Sequence, residues 1–324
     1  MNMKNLIVLL ISFLQVSCDF QVSEEFKPAY KPQITVNALF TENQEWQVFV
    51  SKNVPAWIQN NHLSATNTDH FIKDAKVLLY ENGTLRATLP YEERQIQVYN
   101  YAINPNSIPC YTLPSLFPRS KQKYSIKVMA DGLSTVEAEG QIPAPISIGD
   151  ISYRKEATQI DGFPLYHVTF SFKDDPTENN YYMLKVVSEE EHKGSFREIA
   201  ISSIRTDDSV LKSGLNFWER NQFDTEAGGV RYAFLAFPDD LFRGGGTSVS
   251  FSVQGSSFAN EVKPARQRIL LYTMEESMYQ YFSTSLRQEL YSSDIFLGIL
   301  PIESNIKNGL GIFAGYQVAS FVIE

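Results

Sequence analysis

The chain has 324 residues, 43% of them hydrophobic, and a formal net charge of −9. It is long enough for two ordinary domains with real cores, and an acidic balance without a basic stripe argues against nucleic acid and anionic lipid headgroups as partners. Beyond the leader no apolar segment approaches twenty residues, and the regular ten-residue alternation of a membrane barrel is not evident, so no spanning segment is expected.

The chain opens on Lys4 and the apolar run 6–14, which is far too short to span a bilayer stably and reads as a signal peptide covering residues 1–17. Val16 and Ser17 then precede Cys18 in a pattern that resembles the lipobox of bacterial lipoproteins, with Gln15 where most carry Leu and Leu14 one place earlier. On this reading Cys18 is the lipidation site, and several acyl chains would moor the mature protein for its lifetime. The alternative, cleavage near Ser17 as an ordinary secretory peptide, leaves Cys18 a plain thiol; the scarcity of cysteine favours acylation. Residues 18–32 contain Asp19, Glu24, Glu25, Pro28 and Pro32 and show no period, so they are expected to act as a flexible tether. Exposure at the outer face is expected over a periplasmic orientation. With Cys18 acylated, Cys110 has no disulfide partner, and lacking a basic neighbour it is expected to be a buried filler.

Residues 33–143 carry the period of two that strands require. Runs at 34–39, 46–51, 73–81, 84–89, 95–102, 123–130 and 133–139 give about seven strands, as in an immunoglobulin-like β-sandwich. Asn82-Gly83 marks one hairpin, and Asp131-Gly132 marks another for which a type I′ turn is predicted. Residues 53–72 are polar and aperiodic, and 103–118 hold four prolines; both are expected to be loops. Ile142-Pro143-Ala144-Pro145 marks a boundary. The region 144–324 is read as a second β-sandwich or β-barrel, with strands at 148–154, 166–173, 181–187, 198–204, 230–237, 248–254, 269–272 and 312–323. One packed helix is predicted near 274–291, capped by Thr273 with Glu276, its stripe being Met274, Met278, Tyr281, Phe282 and Leu286.

Reactive constellations are sparse. His62, His70, His167 and His192 share no metal-ligand spacing, and no nucleophile elbow, Cys-x-x-Cys or His-Glu-x-x-His is present. Gly244-Gly245-Gly246 lacks the lysine of a phosphate loop. Asp174-Asp175, Asp207-Asp208 and Asp239-Asp240 could supply calcium ligands or an acid and base pair, but each sits where Asp caps a turn. No catalytic, cofactor or metal residues are therefore assigned. The 17 Tyr and 22 Phe belong first to cores, and exposed ones could stack on a ligand.

Several segments together resemble the Bacteroidetes outer-membrane lipoproteins grouped as domain-of-unknown-function family 4249. They are the lipobox, residues 34–39, Asp74-Ala75-Lys76-Val77, Asp131-Gly132 with Ile142-Pro143, Asn180-Tyr181-Tyr182, the run 237–244 and the run 304–313. The glycines of the last run point to a turn feeding the final strand. The resemblance covers essentially the mature chain. It implies a sandwich joined to a second β-domain and frequent association with TonB-dependent outer-membrane receptors, with no activity assigned. The resulting expectation is a non-enzymatic outer-membrane lipoprotein acting as an accessory or ligand-capturing component of such a receptor. Two alternatives remain: an independent carbohydrate- or peptide-binding module, and a hydrolase built on dispersed Asp and Glu.

Overall fold

In the computed structural model, residues 30–42, 44–54, 70–95, 107–156, 164–224, 229–254, 266–291 and 300–324 are described. The expectations for the leader, Cys18, most of the tether, most of the 53–72 loop and nearly all of the strand at 95–102 lie outside them.

The first half is a sandwich. One layer is the four-stranded sheet β4-β3-β7-β8, made of β3 (Lys76–Glu81), β4 (Thr84–Leu89), β7 (Lys123–Met129) and β8 (Val136–Gln141). The facing layer contains β1 (Ile34–Phe40), β2 (Trp46–Lys52), β5 (Tyr91–Gln95) and β6 (Ser107–Leu113). Alternation explains the packing: Tyr124, Ile126 and Val128 of β7 are buried against Val36, Trp46 and Val50 of the other layer, while their sequence neighbours face out. The rings of Phe40, Trp46 and Tyr124 meet there, with Phe40 and Trp46 centroids 4.7 Å apart.

Two expectations for this half need correction. The Asp131-Gly132 turn is not type I′, because of its two central residues only Gly132 has positive φ, at 73°. Leu133 N donates to Ala130 O at 3.2 Å, the type II arrangement with glycine in the third place. The Asn82-Gly83 turn does have both residues left-handed, at 50° and 79°, and closes the β3-β4 hairpin tightly. The proline-rich stretch 103–118 is not all loop, since it contains β6. Pro109 lies opposite Glu93 of β5, past the residues that β6 pairs with β2, so its missing N–H interrupts no ladder on that side.

The second half runs through β9 (Ile148–Glu156), β10 (Leu165–Lys173), β11 (Tyr181–His192), β12 (Ser195–Ile201), β13 (Ser203–Arg205), β14 (Leu215–Asp224), β15 (Gly229–Pro238), β16 (Gly246–Gln254), β17 (Arg266–Met274), helix α1 (Glu276–Tyr291) and β18 (Leu310–Ile323). The strand expected at 198–204 is divided into β12 and β13, and β14 was not expected at all. The order β18-β17-β11-β15-β13-β16-β10-β9 is antiparallel throughout, with β12 added to β11 and β14 to β15. Phe170 of β10 packs on Phe321 of β18, ring centroids 5.4 Å apart, although the two strands stand near opposite ends of that order. The sheet therefore curls into a barrel around Phe170, Leu184, Leu235, Val253 and Ile269. It stays open where β9 and β18 approach without pairing. The free edge of β9 is guarded by an irregular register near Asp150, whose φ is 47°, and by Lys155, whose Nζ sits 5.4 Å from the Tyr166 ring centre.

Helix α1 lies on the outside of this barrel. Its expected capping box does not form: β17 extends through Met274 in register with both β11 and β18, so Thr273 is held in a ladder. Glu275 caps the helix instead, its carbonyl accepting from Met278 N and Tyr279 N. Met278 and Leu286 are buried as the stripe requires, and Met274 joins the same cluster from the end of β17.

The last strand joins the halves. Residues 310–315 of β18 run parallel to β1, and residues 316–323 run antiparallel to β17. Phe313 accordingly sits in the sandwich core, stacked on Trp46 at 6.0 Å, while Phe321 and Ile323 line the barrel core. Ile306 also enters the sandwich core, so the segment read from sequence as part of the second region serves the first as well. The expected turn before the final strand is present, with Asn308 at φ 63° and Gly309 N donating to Ile306 O.

Candidate functional site

Because Tyr124, Ile126 and Val128 point inward, Lys123, Ser125 and Lys127 must point outward, and Glu137 and Glu139 do so on β8. Register then fixes the rows. Tyr80 lies beside Ser125 and Ser125 beside Glu139; Lys127 lies beside Glu137. Ser125 is much smaller than its two neighbours, so the sheet surface dips at that row. Two hollows meet there. One, of about 320 Å³, runs toward the hairpin tip and is lined by Asn82, Lys123, Tyr124, Gln141 and Glu275. The other, of about 220 Å³, runs along the sheet past Tyr80, Lys127, Glu137 and Lys307. Gly83, Ser125 and Glu139 line both. Each lobe is small, but as one groove they reach the size range of small-molecule sites.

The floor is rigid. Glu81, buried under the sheet, accepts from Arg119 Nη2 at 2.6 Å and Tyr124 Oη at 3.0 Å and pairs with Arg86 at 3.1 Å. Burial works to raise the Glu81 pKa, and the Arg119 and Tyr124 hydrogen bonds outweigh it, holding the carboxyl below its usual range. On the surface Lys127 is paired with Glu137 at 2.7 Å. Lys123 and Glu139 have no ion-pair partner among the described residues, while Lys307 bridges Glu137 through the backbone and adds to the pull of Lys127 on the Glu137 carboxyl.

Glu275 closes one end. Its Oε2 accepts from Gln141 N at 3.1 Å and Gly315 N at 3.0 Å, tying the end of β17 to β8 and β18. The approach requires Gly140, where a Cβ would stand 3.1 Å from Oε2 and 2.9 Å from Phe313 O. Burial pushes the Glu275 carboxyl up to about 7, against the downward pull of the two amides. A lining carboxyl that ionises near neutrality can exchange a proton when a charged ligand arrives.

The residues singled out from sequence fall elsewhere. Cys18 and His62 lie outside the described residues. Cys110 is buried in β6. Among the described residues no three of His, Cys, Asp and Glu are grouped to hold a metal. The acidic pairs do local structural work: Asp174 accepts from Tyr182 Oη at 2.6 Å and Gly244 N at 2.7 Å, Asp239 from Asn180 N and Arg243, and Asp208 from Val210 N and Ser250 N. These bonds draw two of the sequence segments, 180–182 and 237–244, into one joint at the end of the barrel. His70 packs on Phe71, and His192 ends β11.

His167 needs separate treatment, because Ser252 Oγ lies 2.9 Å from its Nδ1 and Glu156 Oε2 3.3 Å from its Nε2. That distance on the Glu156 side is not matched by direction, since Nε2 makes no hydrogen bond among the described residues. The row also lies on the outer face of β10 and β16, away from the two hollows that line the groove. The sequence reading missed the groove. Its signal was present in the polar row Lys123, Ser125 and Lys127 facing Glu137 and Glu139, with one small residue in the middle.

No curated protein matches the chain. Among solved structures, one called "Putative membrane anchored protein", from Corynebacterium diphtheriae, aligns over 76% of this chain and 55% of its own, at 11% identity and a TM-score of 0.20. This chain thus spans about half the length of that one. No described helix is long and apolar enough to cross a membrane. The sequence profile described as "Domain of unknown function (DUF4249)" matches residues 19–321, and the chain belongs to that family.

Proposed function

We propose that this protein captures a small ligand in the groove on the β3-β7-β8 face and does not transform it. In this reading an acylated Cys18 moors it to the outer membrane, where it serves a TonB-dependent uptake receptor as an accessory. The observation that carries the reading is the pair of joined hollows, with Lys123 and Glu139 lacking an ion-pair partner among the described residues at their walls. Charged groups held in place without a partner present a ready set of contacts to an incoming ligand, and a rigid floor keeps the ordering cost of binding low.

The anchoring and capture parts have separate tests. Cys18→Ser should move the protein from the membrane to the soluble fraction, and retention in the membrane would reject the anchor. Ser125→Trp fills the shared row of the groove and should abolish ligand capture while leaving membrane retention intact. Crosslinking in intact cells should join the protein to a large outer-membrane barrel, and a protein found only as a monomer would count against the accessory role.

A further inference from the structure

The end of the sandwich where the chain enters it is built from three short segments. Tyr30 Oη donates to Asn53 O, Gln33 N to Asn53 Oδ1 at 2.8 Å, and Lys52 N to His70 O at 2.8 Å, so residues 30–33, 52–54 and 70–71 are tied into one tip at the start of β1. Tyr30 and Val54 are 40% and 39% exposed there, and the half-buried Phe71 ring packs on His70. Lys31 and Lys52 stand exposed among them, and neither has an ion-pair partner among the described residues. The three segments contain no acid, and Asp74, the next one along, is flanked in sequence by Lys73 and Lys76. A chain of net charge −9 is thus locally basic at this tip, and its basic groups stand beside exposed aromatic and aliphatic side chains. A tyrosine with its hydroxyl held and part of its ring exposed, next to lysines, suits the boundary between water and a bilayer.

We propose that this tip is a second membrane contact, laid on the anionic headgroups of the phospholipid bilayer that holds the N-terminal lipid. The proposal rests on the reading of Cys18 as the acylated residue. Tyr30 follows Cys18 by twelve residues, about 40 Å at full stretch and about 20 Å as a coil, so an anchor at Cys18 keeps the tip close to the surface. The leash between them carries Asp19, Glu24 and Glu25 against Lys27, and attraction to an anionic surface must therefore come from the tip itself. Each lysine near such a surface favours contact about fivefold, and two about 25-fold, which is too little to recruit a free protein and enough to orient one already tethered. The acids spread over the rest of the body act in the same direction, since the surface that attracts the tip repels them. β18 runs from Leu310, beside Thr35 at the tip end of β1, to Ile323 in the barrel, so a tip laid on the bilayer directs the barrel away from it.

The test is acetylation of lysines by N-hydroxysuccinimidyl acetate on the mature full-length protein, read residue by residue by mass spectrometry in detergent and in vesicles. Exposed Lys193, in the β11-β12 hairpin, is the reference, because that hairpin lies past the Ile323 end of β18 and the tip lies at its Leu310 end. In vesicles containing phosphatidylglycerol, Lys31 and Lys52 should react about fivefold more slowly than in detergent while Lys193 keeps its rate. Phosphatidylcholine vesicles, or about 1 M salt, should remove most of the slowing. Val54→Glu, at an exposed position, should return both lysines to their detergent rates with the protein still on the vesicles. Slowing of all three lysines alike, or of none, in protein that floats with the vesicles would overturn the tip contact and leave the anchor standing. Equal slowing in phosphatidylcholine would overturn the anionic headgroup as the partner. Protein that does not float would reject the anchor; coupling the Cys18 thiol to a maleimide lipid, with Cys110 buried, then decides the tip, which selective slowing would uphold and its absence overturn.

Discussion

Two polar sheet faces look alike in the sequence and differ in what they offer. On the outer face of β10 and β16, hydroxyl and acid groups satisfy one another: Thr169 with Ser250 at 2.9 Å, Ser252 with His167 at 2.9 Å, and Ser171 with Asp150 at 2.6 Å. On the outer face of β7 and β8 only Lys127 and Glu137 are so engaged, and Ser125 leaves a dip between Tyr80 and Glu139. Both faces are polar for the same reason, solvent exposure of alternate residues. The first face has a hollow too, about 480 Å³ beside Asp150, Ser171 and Lys173, but its acid is already bonded to Ser171; the second is distinguished by a carboxylate, Glu139, that stands in the hollow without a partner among the described residues.

The largest effect should come from removing the support behind that face. Phe313→Ala takes away the ring packed between Phe40 and Trp46, and should cost about 3–5 kcal/mol in denaturant melts and abolish groove binding with it. Next is Glu275→Gln. A carboxyl raised from 4.5 to about 7 takes up a proton on folding between those values, so its contribution to stability is full below about 4.5 and is lost as pH rises through 7. Glutamine keeps an acceptor for Gln141 N and Gly315 N without the buried charge. The variant should gain up to about 3 kcal/mol at pH 8 and lose the decline in stability between pH 5 and 7. A decline that persists in the variant would assign it to another group.

On the other face, Thr169→Val removes one hydroxyl pair and should cost about 0.5–1 kcal/mol without affecting ligand binding. The smallest stability effect belongs to Ser125→Trp, expected within about 0.5 kcal/mol of the parent because the site is on the surface. Loss of binding in Thr169→Val, with Ser125→Trp still binding, would reverse the assignment of the two faces.

Local pattern revealed the strands of these faces better than it revealed their partners. The alternation from Lys123 to Met129 and from Val136 to Gln141 identified both strands and their buried sides. The turn between them was misread because Asp131-Gly132 suits either turn type, and six residues separate the strand ends where a type I′ hairpin has two. β6 was hidden by prolines, whose effect on a ladder depends on which side has a neighbour. The role of Glu275 was illegible because its bonded amides lie 134 and 40 residues away. The same distance effect hid the parallel pairing of β1 with β18, which no short window contains.

That pairing also sets a schedule. Trp46 and Phe40 wait for Phe313, and Phe170 waits for Phe321, so two cores separated by more than a hundred residues of chain are completed by one strand that follows both. Domains of a growing chain ordinarily fold one after another from the amino terminus. Here each half lacks part of its core until residues 310–323 are in place, so shortening that strand should destabilise the sandwich and the barrel together.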